Sequence, residues 1–255
     1  MKTMIFRVCA TFQINIATLV LEQESEIRNE IARSSALVGP VLPLSEYTEG
    51  FKAKVDLLQD IWRSIRKIRP DGNCFYRAYL FGLFERSISA SDLNELRDKF
   101  ENLGNVCIDA GYDSFAIDDF KDMILEQIDE VSASPSVETL EQKIFSDPSI
   151  DGYLIAFMRC ICGATMKLNA SDFEAVLPPA FSTVDNFVRT EVNPMFKDCE
   201  EMQIVALCRA MKVPIRIVYL DNSAGIPSVH AFGDEAEGPP VCLLYRPGHY
   251  DLIYS

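Results

Sequence analysis

The run Tyr153 to Cys162 is apolar on nearly every side, and no other feature restricts the fold as much. A helix without a polar face has to lie inside a core, with other elements covering it all round. Candidates for that cover stand on both sides of it in sequence. Leu93, Leu96, Phe100 and Leu103 recur at helical spacing, and Gly104 stands where a left-handed residue would end the helix. Phe120, Ile124, Ile128 and Val131 form a second stripe, and Met202 to Met211 an amphipathic helix ended by Pro214. Earlier in the chain, Phe51, Val55, Leu58 and Trp62 predict another helix, and Cys74 to Phe84 an apolar one.

The last quarter changes character. Ile215 to Leu220 is a β-rich run between Pro214 and Asp221-Asn222. Val241 to Tyr245 and Tyr250 to Tyr254 predict two more strands, separated by Arg246-Pro247-Gly248-His249. Between them, Asp221 to Pro240 reads as a surface loop with a short strand near Val229. The expected class is therefore α/β of the α+β type, with helices packed around a small, mainly C-terminal sheet. No internal repeat is evident. Residues 45–255 are expected to form this domain. Residues 1–44 read as an arm, partly disordered or helical, with Glu22 to Arg33 a solvated helix and Leu37 to Ser45 an extended connection containing Pro40 and Pro43.

A chain of 255 residues, 48% hydrophobic, can build a sizeable core. Its formal charge of −14 argues against nucleic acid, whose binding depends on Lys and Arg neutralising phosphates. The same acidity fits a basic partner, or simply solubility. Eight cysteines are scattered without paired metal-ligand spacing, and Cys160 and Cys162 read as core residues. The absence of a disulfide framework points to a reducing compartment, the cytoplasm with the nucleus as an addition. Met1 to Leu21 is fairly apolar, but Arg7, Gln13 and Asn15 interrupt it, which argues against both a signal peptide and a membrane span. A docked strand, a disordered arm and an inaccurate gene start all remain open for it.

Cys74 stands where a turn, Asp71-Gly72-Asn73, passes into a helix. A thiol there feels the positive end of the helix dipole and the unpaired N–H groups of the first turn, which favour the nucleophilic thiolate. The same N–H groups, with those of the turn, can hold the oxyanion of a tetrahedral intermediate, and Gly72 would let a substrate approach the backbone closely. The plain alternative is a small buried residue that opens a core helix. Of the two histidines, His230 reads as exposed and idle. His249 opens the last strand with Asp251 two residues on, so the carboxylate and the ring share a face. That pair is the base and orienter of a triad, and with a helix-start cysteine it resembles papain-like chemistry.

Two motifs make the resemblance specific. Residues 70–79, Pro-Asp-Gly-Asn-Cys-Phe-Tyr-Arg-Ala-Tyr, resemble the nucleophile motif of the ovarian-tumour (OTU) family of deubiquitinating proteases. Residues 245–254, Tyr-Arg-Pro-Gly-His-Tyr-Asp-Leu-Ile-Tyr, resemble the histidine motif of its otubain branch. Arg66-Lys67-Ile68-Arg69 and Glu191-Val192-Asn193-Pro194-Met195 also follow otubain order, across roughly residues 45–255. The resemblance implies a papain-like OTU domain that hydrolyses isopeptide bonds at the C-terminus of ubiquitin without a cofactor. Cys74 would be the nucleophile, His249 the base, Asp251 the third triad member, and Asp71 an active-site residue acting through oxyanion-hole geometry. Gly72 and Asn73 would complete the substrate and oxyanion side. Ubiquitin and polyubiquitin chains are the implied partners, with a ubiquitin-conjugating enzyme as a second class that the Glu22 to Arg33 helix would serve.

Because the apolar stripes of the core begin after it, the N-terminal segment is expected to be dispensable. A chain starting at Glu22 should keep its thermal transition and its turnover of a minimal substrate. Failure of that truncation to fold would show a docked structural strand instead.

Overall fold

The computed structural model describes residues 19–20, 22–47, 50–233 and 238–255. Expectations for residues 1–18 and 21, Cys9 included, lie outside the described residues. The chain forms two units, residues 1–36 and Leu37–Ser255. In the first, residues 22–34 form a helix, α1, mostly exposed and with an Arg28–Glu24 ion pair one turn apart. This matches the solvated helix expected there.

The second unit is built on a mixed six-stranded sheet. Its strands are β1 (Val38–Pro43), β2 (Ser64–Ile68), β3 (Ile215–Tyr219), β4 (Ser228–Phe232), β5 (Val241–Arg246) and β6 (His249–Tyr254), in the order β1-β2-β6-β5-β3-β4. Only β3 and β5 run parallel. The stretch expected as an extended connection is thus the edge strand β1. Its two prolines suit an edge, where missing N–H donors do no harm, and the register shifts between Val38 and Val41, where Gly39-Pro40 sit.

The main helices are α2 (Lys52–Asp56), α3 (Cys74–Ala90), α4 (Leu93–Asp109), α5 (Ser114–Ala133), α6 (Val137–Thr139), α7 (Pro148–Leu168), α8 (Ala170–Glu174), α9 (Val184–Phe187) and α10 (Glu201–Met211). Two π-helical segments, Leu140–Ile144 and Val188–Val192, continue α6 and α9. The nearly all-apolar run falls in α7, which packs against α3, α4, α5 and α10. Leu154, Ile155, Phe157, Met158 and Ile161 are completely buried, each contributing on the order of 1.5–3 kcal/mol to burial. Asp147 caps the helix by accepting from Ser149 N at 2.7 Å, with Pro148 at its first position.

Two expectations are corrected here. Helix α4 runs through Gly104 to Asp109, and the left-handed residue that follows it is Gly111, at φ +85°. Gly104 instead allows a close crossing, since a Cβ there would lie 2.8 Å from the Lys121 side chain on α5. The Phe51–Trp62 stripe is helical only over α2. Leu58 and Trp62 are buried all the same, through short turns that bring Arg63 N to the Tyr254 carbonyl and start β2. With Leu44, Tyr47 and Leu244 they form a smaller core on the sheet face opposite α3. The sheet is therefore covered on both faces.

Helix α3 lies across β6 and β5, and Gly82 marks the closest approach. A Cβ at Gly82 would stand 2.6 Å from Val241 Cγ1 and 3.3 Å from Leu252 Cδ2. Both contacts come from branched side chains that are themselves buried. Gly82→Val should therefore lower stability by about 1–3 kcal/mol, read as a shifted urea midpoint with an unchanged slope. An unshifted midpoint would mean the seam has space to spare.

Candidate active site

Cys74 is the first residue of α3 and is buried. The N–H groups of Cys74 and Phe75 have no intrahelical partner and carry the positive end of the helix dipole. On the sheet side, a two-residue turn, Pro247-Gly248 with Gly248 at φ +76°, makes His249 the first residue of β6. His249 Nε2 lies 2.8 Å from Asp251 Oδ1, and both residues are buried. The β2–β6 ladder ends at Arg66↔Leu252, and beyond it the Ile68 N–H donates to Asp251 Oδ1 at 2.8 Å. The neighbouring strand thus holds the carboxylate that holds the ring.

With Nε2 committed to Asp251, Nδ1 is left without a well-aligned hydrogen bond. Burial works to lower the imidazole pKa, but the Asp251 carboxylate and the nearby Cys74 sulfur raise it, and it ends at about 9 rather than 6.5. The ring therefore carries its proton at neutral pH, and an imidazolium is the counter-charge a thiolate needs. Burial pushes the Cys160 and Cys162 thiols up to about 12, and the Cys199 thiol upward as well. These stay protonated, and for Cys160 and Cys162 this agrees with their reading as core residues. His230 is exposed on β4, its ring 4.6 Å from that of Tyr219.

The turn before Cys74 is used differently from the expectation. Asp71 Oδ1 accepts from Asn73 N at 3.0 Å, so the Asn73 N–H is already taken and is not free for an oxyanion. Asn73 Oδ1 accepts from Arg159 Nη2 at 2.8 Å and from Phe196 N at 3.0 Å. Gly72, at φ +77°, does permit a close approach, but the group that approaches is the Phe196 carbonyl, 2.3 Å from where a Cβ would stand.

The family model of the otubain peptidases, Peptidase C65, matches residues 30–255 of the chain. This protein is an otubain. It is 34% identical over 245 residues to ubiquitin thioesterase OTUB1 of Homo sapiens, covering 92% of this chain and 89% of that protein. It is 30% identical to the ovarian tumor domain-containing deubiquitinating enzyme 1 of Arabidopsis thaliana, with 92% and 86% covered. Among solved structures, a complex described as h/ceOTUB1, ubiquitin aldehyde and UBC13~Ub matches with a TM-score of 0.85 at 29% identity, over 93% of this chain and 98% of that one. The corresponding complex with UBCH5B~Ub gives a TM-score of 0.87 at 28% identity, with 94% and 98% covered.

In this otubain three further charged residues support the turn before Cys74. Arg77, on α3, donates to both oxygens of Asp71 at 3.0 and 2.8 Å and to both oxygens of Asp151 at 2.8 and 2.9 Å. Burial disfavours the Arg77 charge, but Asp151 and Asp71 more than offset it and its pKa is raised. Arg159, on α7 and fully buried, reaches the turn from below. Sequence reading passed over all three. The available signal was the lone Arg159 inside an apolar helix, since a charge there has to be paired.

The raised His249 pKa has a consequence for stability. Folding takes up a proton between pH 6.5 and about 9, so this contribution is complete below about 6.5 and is lost as pH rises through about 9. His249→Gln should flatten that part of the pH–stability curve in urea titrations. A variant with the wild-type slope would show that another group carries the dependence.

Proposed function

We propose that this otubain hydrolyses the bond at the C-terminus of ubiquitin with Cys74, His249 and Asp251 as its triad. The observation that carries this reading is the buried His249–Asp251 pair at 2.8 Å beside a thiol at a helix N-terminus. The Cys74 thiolate attacks the carbonyl carbon, and the oxygen of the tetrahedral intermediate takes up the negative charge. The Cys74 N–H, unpaired within α3, supplies a donor for that oxygen. His249 then gives its Nδ1 proton to the leaving lysine amine, and ubiquitin remains as a thioester on Cys74. In the second half, the neutral ring takes a proton from water as it attacks the thioester. The thiolate leaves, the carboxylic acid so formed gives its remaining proton to solvent, and the ubiquitin carboxylate is released. Asp251 keeps Nε2–H fixed throughout, so Nδ1 is the nitrogen that exchanges protons. Thiol chemistry of this kind needs no metal or organic cofactor.

Similarity to ubiquitin thioesterases, and to a protein solved with ubiquitin aldehyde, supports ubiquitin and its chains as the substrate. Holding a ubiquitin-conjugating enzyme is a second binding role, supported by the solved complexes with UBC13~Ub and UBCH5B~Ub. No helix among the described residues is long and apolar enough to cross a membrane. Seven cysteines among the described residues are free thiols, which supports placing the protein in the reducing cytoplasm.

The test is cleavage of di-ubiquitin by three variants, with circular dichroism and mono-ubiquitin binding as controls. Cys74→Ala should lose several orders of magnitude in rate while still folding and binding ubiquitin. Asp251→Asn should fold and lose kcat/KM, by up to about 10⁴-fold, because an amide can donate to Nε2 and favour the wrong tautomer. Asp71→Asn should act differently, through the Arg77 pair, and lower thermal stability more than it lowers turnover per folded molecule. Near-normal turnover by Cys74→Ala would overturn the assignment. A well-folded Asp71→Asn more damaged in rate than Asp251→Asn would exchange the two aspartates' roles.

A further inference from the structure

The peptide between Gly72 and Asn73 is held at both ends. Its N–H donates to Asp71 Oδ1 at 3.0 Å, and its carbonyl oxygen accepts from Arg159 Nη2 at 3.0 Å. Such a peptide needs holding. Rotation of this unit changes ψ at Gly72, where the missing Cβ removes most of the steric barrier, and φ at Asn73, which stands at −103°. Rotation would bring a carbonyl oxygen toward the ground where the oxyanion forms, and would redirect the Cys74 N–H one residue on. A carbonyl dipole facing a developing negative charge opposes it, whereas a fixed N–H stabilises it.

Both holds trace back to α7. Asp151 fixes Arg77, which fixes Asp71, which takes the Asn73 N–H. Arg159 takes the Gly72 carbonyl directly, and the same Nη2 reaches Asn73 Oδ1 at 2.8 Å and the Lys197 carbonyl at 2.7 Å. Its Nη1 donates to the Val192 carbonyl at 2.9 Å, at the end of the π-helical segment, while its Nε has no acceptor among the described residues. Its guanidinium also lies 4.2 Å from the ring centroid of Tyr76, two residues after the nucleophile. One buried cation thus joins the nucleophile turn to residues 192–197.

A charge in the middle of an apolar helix is costly even when well paired, and an apolar residue of similar size would pack there more favourably. The fork does what an apolar side chain cannot, which is to fix the orientation of a peptide plane. We propose that Arg159 is a positioning residue for hydrolysis. It holds the 72–73 peptide and the Asn73 side chain so that the Cys74 N–H is directed at the carbonyl oxygen under attack. This role rests on the Cys74–His249–Asp251 triad.

The test separates oxyanion stabilisation from thiol reactivity and from folding. Arg159→Lys keeps the charge but not the fork, and Arg159→Gln keeps one amide donor. Each is compared with wild type in four measurements: thermal transition, kcat and KM on di-ubiquitin, inhibition by ubiquitin aldehyde, and alkylation of Cys74 by iodoacetamide across pH. The aldehyde forms a tetrahedral adduct that needs an oxyanion donor, whereas alkylation needs only a thiolate. The expected result is a kcat loss of about 10²-fold and a comparable weakening of aldehyde inhibition, with KM and the alkylation profile little changed. Partial recovery of kcat when guanidinium ion is added at concentrations below those that denature would support the same conclusion. Wild-type kcat in either folded variant would overturn the proposal, as would parallel losses in alkylation and hydrolysis. If Arg159→Lys does not fold, Arg159→Gln decides between the same outcomes. Failure of both to fold would assign Arg159 to stability and overturn the positioning role. Activity in Cys74→Ala, by contrast, would remove the triad itself, so the two failures are distinguishable.

Discussion

The turn before Cys74 depends on charges carried by α7, a helix packed among α3, α4, α5 and α10. Asp151 and Arg159 lie two turns apart on α7, and each reaches the turn before Cys74 by its own route. Taking Arg77 and Arg159 out of water costs several kcal/mol each unless their donors are paired. Here Arg77 forks onto two carboxylates, and Arg159 takes three carbonyls and an amide oxygen. Such a network adds little net stability over an apolar core, but it is exacting about geometry. Removing any one member would leave a buried charge or carbonyl without a partner.

The other half of the site depends on a backbone ladder. Strand β2 pairs with β6 up to Arg66, and its next inward N–H, that of Ile68, goes to the Asp251 side chain. The orienting carboxylate is therefore fixed by the strand whose continuation, through Arg69 and Pro70, becomes the nucleophile turn. Helix α3, which starts at Cys74, packs across β6 and β5 with Gly82 at the closest point. Cys74 and His249, the proposed nucleophile and base, thus sit on two elements whose mutual position is set by the apolar seam between helix and sheet. The short segment between β2 and α3 joins the two halves covalently.

How much of this was legible in the sequence depended on the range of each interaction. His249 and Asp251 are two residues apart on one strand, and Cys74 follows a turn written in adjacent residues, so the proposed triad could be read locally. The apolar run identified α7 as central, because a helix with no polar face has one possible environment. The outcome was different where a residue's role came from a distant partner. Gly104 carries the signature of a helix end, yet Lys121 on a neighbouring helix explains it. The Asn73 side chain and the Gly72 carbonyl meet Arg159, 86 and 87 residues away, and Asn73 also meets the Phe196 backbone, partners that local spacing does not reveal. The π-helical segments left no periodic trace, since one residue of slack in a ladder does not alter the apolar spacing enough to show.

By itself, then, the sequence supplied the residues on which the proposed chemistry rests: a helix-start cysteine, a strand-borne His-x-Asp, a nearly all-apolar central helix, and the two motifs of the otubain branch. Short-range geometry suffices for these, because covalent spacing within a turn, a strand or a helix already places the side chains. The tertiary structure alone decided what holds that chemistry in shape. It made β1 an edge strand, assigned Asp71 to Arg77 and Asn73, and brought the Arg159 guanidinium under the Gly72 carbonyl. A buried charge has many conceivable partners along a chain of 255 residues, and which of them it meets is settled only when the core closes around it.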